Sequence, residues 1–127
     1  MASHHFQRRV SYYDTDAMGI VHHSNYVRYF EDARVDWMRA SGLMRYHAPH
    51  GPLTFAVHEL VVNYRKPLRF DDEFDVDLKV EIDGVRLRFD YEITCRGELI
   101  ADGKTVLVPL DVNFKPARLP AAARVLF

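Results

Sequence analysis

The sequence predicts an α+β domain in which one long helix lies against a five-stranded antiparallel sheet. Three observations carry this. Only one stretch, residues 25–41, repeats apolar side chains at helical spacing over several turns. Four segments after it, 54–66, 73–82, 85–95 and 99–112, mix β-branched and aromatic residues with alternating polar ones. A fifth alternating segment, 4–13, precedes the helix.

In chain order, HHFQRRVSYY (4–13) places Phe6, Val10 and Tyr12 on one parity and Arg9, Ser11 and Tyr13 on the other, the pattern of a half-buried strand. His4 and His5 carry no functional weight. Asp14 to Gly19 breaks the alternation. Asp and Thr favour turns and Gly19 tolerates a positive φ, so the chain reverses here. Ile20 and Val21 are apolar again, followed by His22 and His23. Ser24 and Asn25 are N-cap residue types, and Tyr26, Tyr29, Phe30, Ala33, Trp37 and Ala40 then recur at steps of three and four. Arg28, Glu31, Asp32, Asp36 and Arg39 fall mostly on the other side, and Gly42 supplies the stop. Such a helix is ~25 Å long, enough to cross a sheet.

Residues 43–53, with Pro49, Gly51 and Pro52, read as an irregular connection containing one short helical turn. The four strands follow, separated by Pro67 to Asp72, Asp83-Gly84 and Arg96-Gly97. The last two separators are short enough for hairpins, so the last three strands are antiparallel neighbours. Alternation implies one packed face and one wetter face. The tail ends in a helix-capable run, 121–126. One helix covers one face of the sheet, and a sheet of this size often finds its second cover in another subunit, so an oligomer is expected.

Composition narrows the function classes. A chain of 127 residues fits a single domain, 1–127, able to bury roughly two-thirds of its extended surface. Lys plus Arg number 17 against 18 Asp plus Glu, so no net field draws nucleic acid or an anionic membrane. The single cysteine, Cys95, forms no intrachain disulfide and fits a reducing compartment. No signal-peptide core and no membrane-length apolar stretch is present, so a cytoplasmic location is expected.

The chemistry concentrates in YDTDAMGIVHHSNYVRYFEDAR, residues 13–34. Two carboxylates, a glycine and two histidines directly precede a helix start, where free N–H groups and the macrodipole favour negative charge. A developing oxyanion would be stabilised there, with a carboxylate beside it as nucleophile or base. The plain account is that Asp14 and Asp16 only shape a turn, and on spacing alone it is ahead. Isolated histidines are usually structural, which is the plain account of His23. A metal at His22 and His23 is not expected: adjacent side chains diverge in extended chain and no further His or Cys sits at ligand spacing. Ser24 lacks a nucleophile-elbow motif and reads as a cap. Cys95 reads as inert core, His58 as core or interface, and Glu31 with Arg34 as a surface pair.

The same stretch, DTDAMGIVHHSNYVRYFEDAR, resembles the signature of the 4-hydroxybenzoyl-CoA thioesterase family of hotdog-fold proteins. It is most similar to the acyl-CoA thioesterase branch associated with the Tol-Pal operon. NYRKPLRFDDEF (63–74), KPARLP (115–120) and the order of elements fit that branch, so the resemblance covers nearly the whole chain. It implies a sheet wrapped around the central helix, assembly into dimers and commonly tetramers with the site at the subunit interface, and hydrolysis of acyl-CoA thioesters without metal or cofactor.

Carried over residue by residue, the resemblance puts the catalytic carboxylate at Asp16. The histidine near the helix start, and the backbone N–H that polarises the thioester carbonyl, both fall at His23. Tyr26, Glu31 and Arg34 match the motif, and Gly19 supports the turn. The branch usually has an aromatic residue where this chain has His22, beside the acyl pocket, which leaves acyl preference open. Coenzyme A carries phosphates and needs a basic rim. Arg65, Lys66 and Arg69, or Lys115 and Arg118, supply candidates, each equally well read as a solvated charge cluster.

Asp16 can attack the carbonyl to give a mixed anhydride or deprotonate a water. A carboxylate at its reference pKa of about 3.9 is a weak base, and burial or the like charge of Asp14 would raise it. Competing expectations are an aromatic-CoA or acyl-carrier-protein thioesterase and a non-catalytic acyl-CoA-binding module.

Overall fold

The computed structural model describes residues 1–127. It contains β1 (Ala2–Arg9), α1 (Asn25–Ser41), β2 (Thr54–Tyr64), β3 (Glu73–Asp83), β4 (Arg86–Cys95), β5 (Glu98–Leu110) and α2 (Ala121–Arg124). Short 3-10 turns lie at Tyr12–Asp14 and Leu43–Tyr46, the second within the connection expected to hold one helical turn. The strands form one sheet in the order β1-β3-β4-β5-β2, with every neighbouring pair antiparallel. This is the hotdog arrangement, with α1 on the inner face.

The strands divide their side chains as the alternation requires. Phe74, Val76, Leu78 and Val80 of β3, with Leu87, Phe89, Tyr91 and Ile93 of β4, are buried on the inner face. Against them α1 sets Tyr29, Phe30, Ala33 and Trp37, also buried. Phe30 stacks on Tyr91 at 4.2 Å between ring centroids, Tyr29 tilts against Phe74 at 4.5 Å, and Trp37 meets Phe89 edge-on at 5.7 Å. Each such side chain contributes about 1.5–3 kcal/mol by leaving water. Gly103 of β5 makes the close approach of Phe30 feasible: a Cβ there would stand 2.9 Å from the Phe30 ring and collide with the Val61 carbonyl.

The turns follow local chemistry. Gly42 ends α1 in the left-handed region at φ 88°. Arg96 and Gly97 both have positive φ, 51° and 76°, as a tight two-residue hairpin requires.

Some expectations shift. The first strand spans Ala2–Arg9 rather than 4–13, because Val10 leaves β3 to pair with Asp72 and the chain then coils into the 3-10 turn. Tyr12 is therefore 75% exposed instead of facing the core. His4 and His5 lie within β1 and bond to Asp36 and Asp77. Ala40 is exposed, whereas Arg34, placed on the surface by its charge, is buried. His58 sits at a bulge between Val57 and Glu59 and is exposed, so it is not core.

The outer face of the sheet is the wetter one. Asp77, Lys79, Glu81, Arg88, Asp90 and Lys104 line a shallow polar depression there. Apolar exposure gathers instead on β2, at Val57, Leu60, Val61 and Tyr64. Leu60 and Tyr64 pair with the buried Thr105 and Ala101, which places them on the inner face beyond the cover of α1. α1 reaches from β1 and β3 across β4 but leaves most of this flank of β2 exposed, with only Tyr26 meeting Tyr64 there. No helix is long and apolar enough to cross a membrane.

Candidate active site

The corner between β1 and α1 is built around Asp14, which is 3% exposed. Its Oδ2 accepts from the Tyr29 hydroxyl at 2.8 Å, the Ser11 N–H at 3.0 Å and the Arg8 guanidinium at 3.4 Å. Its main-chain oxygen accepts from Asn25 Nδ2 at 2.8 Å and the His22 N–H at 2.9 Å. One residue thereby joins β1, the 3-10 turn, the histidine pair and the first turn of α1. Burial, and then the bond to the Asp14 carboxylate, pushes the Tyr29 phenol well above its ordinary pKa, so it stays a donor. Arg8 offsets the charge of Asp14. The Asp14 carboxylate is thus committed to the scaffold.

Asp16, two residues on, has different surroundings. It is half-buried, in a tight turn closed by Asp16 N–H to Ile20 O at 2.9 Å and Gly19 N–H to Asp16 O at 3.0 Å. Gly19 takes φ 79° there, the positive value that its residue type suggested. The Met18 N–H binds Oδ1 at 2.8 Å, and Oδ2 has no partner in the chain. Bridges Thr15 to Val21 and Ile20 to Arg69, with Val21 N–H to Leu68 O at 2.8 Å, hold the turn against the segment after β2.

The rings of His22 and His23 stack at 4.1 Å, and both residues are exposed. His22 Nδ1 accepts from the Ser24 hydroxyl at 2.8 Å and from the Ser24 N–H at 3.3 Å; Ser24 stands at the N-cap of α1, as its residue type suggested, but makes no side-chain capping bond. The His23 N–H, immediately before the helix, donates to no group in the chain, while its carbonyl accepts from the Tyr64 hydroxyl at 2.9 Å. Tyr26 is buried behind them, edge-on to Tyr64 at 5.2 Å and to Tyr29 at 5.9 Å, and burial raises its phenol pKa.

The remaining candidates scatter. Glu31 is exposed in a depression that also contains Phe6 of β1, and no hydrogen bond or ion pair joins it to Asp16 or His23. Glu31 and Arg34 pair at 3.7 Å as their spacing suggested, but Arg34 is buried rather than on the surface and also donates to the Tyr91 hydroxyl at 3.3 Å. Arg65 pairs with Asp102 at 2.9 Å and Lys66 with Glu98 at 2.6 Å. Asn63 and then Arg65 hold the Asp102 carboxyl below its usual range, and Lys66 does the same for Glu98. Arg69 and Arg118 are exposed with no side-chain partner, and of the basic residues Arg69 is the one bridged to the Asp16 turn through Ile20. Cys95 is buried, its thiol pKa raised by that burial, consistent with an inert core residue.

Arg8 and Tyr64 did not stand out in the sequence, and Tyr29 stood out there only as part of the helix's aromatic stripe. Tyr64 lies in the NYRKP segment that carried the resemblance, which was the one signal for it. Asp14 and Tyr29 could have been paired only by knowing that the turn folds back over the helix.

Comparison with known proteins identifies the family. The family model described as "Thioesterase-like superfamily" matches residues 10–126. A putative esterase of Aquifex aeolicus is 35% identical over 118 residues, covering 84% of this chain and 92% of the relative. The acyl-CoA thioester hydrolase YbgC of Escherichia coli O6:H1 is 30% identical over 115 residues, covering 88% and 86%. The crystal structure of a DHNA-CoA thioesterase from Staphylococcus aureus superposes with a TM-score of 0.86 at 31% identity, covering 94% of this chain and 82% of that one. Sequence and fold agree, and the chain belongs to the thioesterase-like superfamily, with its hotdog fold.

Proposed function

We propose that this chain, a thioester hydrolase by family, cleaves acyl-CoA thioesters to a free acid and coenzyme A, with Asp16 as nucleophile or general base and the His23 N–H as oxyanion donor. One observation carries the reading. Between the 3-10 turn and α1, Asp16 offers a carboxylate oxygen without a partner in the chain and His23 an N–H without an acceptor, while the Asp14 carboxylate is bonded to the scaffold. His23 is exposed and stands just before α1, where the helix start favours negative charge on a ligand. A thioester carbonyl satisfies both: its carbon takes the nucleophile and its oxygen, gaining charge, takes the N–H.

If Asp16 attacks, the carboxylate forms a mixed anhydride as the carbon–sulfur bond breaks and coenzyme A leaves as thiolate. Water then hydrolyses the anhydride and restores the carboxylate. If Asp16 acts as base, it takes a proton from the water that attacks the carbonyl. The His23 ring, Tyr26, Gly19 and, more remotely, Glu31 support the site. No metal or other cofactor takes part.

The acyl group lies along the uncovered inner flank of β2, past His22, Leu60, Val62 and Tyr64. Arg69 meets the phosphates first, while Arg65 and Lys66 exchange their present carboxylate partners to do so; Arg118 joins from the tail. Exposed Val57, Leu60 and Val61 on the edge strand support a homodimer or homotetramer with the site at the subunit interface. The Tol-Pal-associated branch is the preferred assignment, in keeping with the similarity to YbgC, and a cytoplasmic location goes with it. A second reading, an aromatic acyl-CoA substrate, is favoured by the DHNA-CoA thioesterase likeness and by the aromatic lining of Tyr26 and Tyr64.

The test is a hydrolysis panel of short, long and aromatic acyl-CoAs and an acyl carrier protein ester, run on the parent and on Asp16→Asn. Loss of at least ~10²-fold in kcat on the best substrate is expected. Activity within about threefold of the parent would remove Asp16 from the mechanism. Binding without turnover of any ester would make the protein an acyl-CoA-binding module.

A further inference from the structure

Tyr64 ends the edge strand β2 with its side chain 51% exposed, yet its hydroxyl donates a 2.9 Å bond to the His23 carbonyl. Its ring also stands edge-on to His23 at 6.5 Å and to Tyr26 at 5.2 Å. This is the only hydrogen bond between β2 and the segment from His22 through α1. From the other side, the Asp14 carbonyl holds the His22 N–H at 2.9 Å. Residues 22 and 23 are therefore gripped from both sides, by Asp14 and by Tyr64, while the His23 N–H between the grips stays free.

We propose that Tyr64 is a positioning residue for thioester hydrolysis, aiming the His23 N–H by anchoring the His23 carbonyl. The inference rests on the reading of that N–H as oxyanion donor. The N–H and C=O of His23 flank one Cα, so a bond that fixes the plane of the 23–24 peptide restricts rotation about that Cα and with it the direction of the N–H. The residue precedes the first turn of α1, where no intrahelical bond holds its N–H. Oxyanion stabilisation depends steeply on donor direction and on the donor being in place before charge develops. A loosened donor weakens the transition state more than the bound ester, whose carbonyl carries less charge.

Tyr64→Phe tests this, because it keeps the ring contacts with His23 and Tyr26 and removes only the hydroxyl. On the parent's best acyl-CoA, kcat is expected to fall about five- to tenfold with KM within about twofold. Affinity for a thioether analogue of that substrate, which has no thioester carbonyl, stays within about twofold, and the thermal midpoint moves by less than about 2 °C. A kcat within twofold of the parent overturns the proposal. So does a loss shared by kcat, analogue affinity and thermal midpoint, the signature of a hydroxyl that merely pins the strand end. Asp16→Asn, assayed alongside, separates the two levels: if it retains parent activity, the reading of the site fails whatever Tyr64→Phe does. No turnover by the parent overturns both.

Discussion

The two edges of the sheet are joined to the same helix in opposite ways. At the β1 edge, His4 pairs with Asp36 of α1 at 2.7 Å, Arg8 pairs with Asp32 of α1, and Arg8 also reaches the buried Asp14 at 3.4 Å. At the β2 edge no ion pair reaches α1, and Val57, Leu60, Val61 and Tyr64 remain exposed. The helix is thus strapped on one side and open on the other. Polar and charged bonds to a part-buried partner specify position on the strapped side. The open side keeps apolar surface exposed and leaves the Asp16 Oδ2 and the His23 N–H unpaired, as the proposed site requires. On the proposed reading, stability and access fall to different edges, and Asp14 and Asp16, in successive turns, mark the boundary.

Mutations that respect this boundary should separate activity from stability. The largest effect is expected on the open side: Asp16→Asn loses at least ~10²-fold in kcat/KM while its urea midpoint stays near that of the parent. Asp14→Ala is the counterpart on the strapped side. It leaves the Tyr29 hydroxyl, the Ser11 N–H and Arg8 without their shared acceptor and should cost about 2–3 kcal/mol in urea unfolding. Equal unfolding free energies for Asp14→Ala and Asp16→Asn would erase the distinction between the two acids.

Gly103→Ala probes the contact between the core and the open edge, where a Cβ meets both the Phe30 ring and the Val61 carbonyl. About 1–3 kcal/mol of destabilisation is expected by thermal or urea unfolding. Leu60→Ala, on the open flank and 43% exposed, should change stability by less than about 1 kcal/mol and raise KM for the longest accepted acyl chain several-fold.

The smallest effect lies at the outer end of the strapped edge. The hydrogen bond that the His5 ring donates to Asp77 raises the pKa of His5 above 6.5, with Asp75 assisting. A raised folded-state pKa stabilises fully below the unfolded value, and the contribution is lost as pH rises through the folded value. The side chain is 58% exposed, so screening leaves about 0.2–0.5 kcal/mol. The stability difference between the parent and His5→Gln should be present near pH ~5.5 and absent near pH ~9.

Local patterns made much of this legible. The bounds of α1 follow from its apolar spacing and from Gly42, whose positive φ ends it, and the β4–β5 hairpin follows from Arg96-Gly97. Asp16 and His23 entered through the signature they share with a family. The assignments that failed involve side chains with a choice of partner. Ser24 is a good cap type, but its hydroxyl goes to His22; Asn25 is another, but its amide goes to Asp14. Arg34 was expected outside because charges avoid burial, yet Tyr91 accepts one of its N–H groups inside.

By itself the sequence determined the elements, the antiparallel pairing of the last three strands and the stretch in which the chemistry resides. Those features rest on periodicity and turn chemistry, which act over a few residues. Only the tertiary structure decided which of two acids in successive turns is buried, which edge of the sheet the helix leaves uncovered, and that Tyr64 reaches the His23 carbonyl across 41 residues of chain. Those outcomes depend on which distant backbone and side-chain groups meet, and hydrogen-bond partners far apart in sequence leave no periodic trace in it.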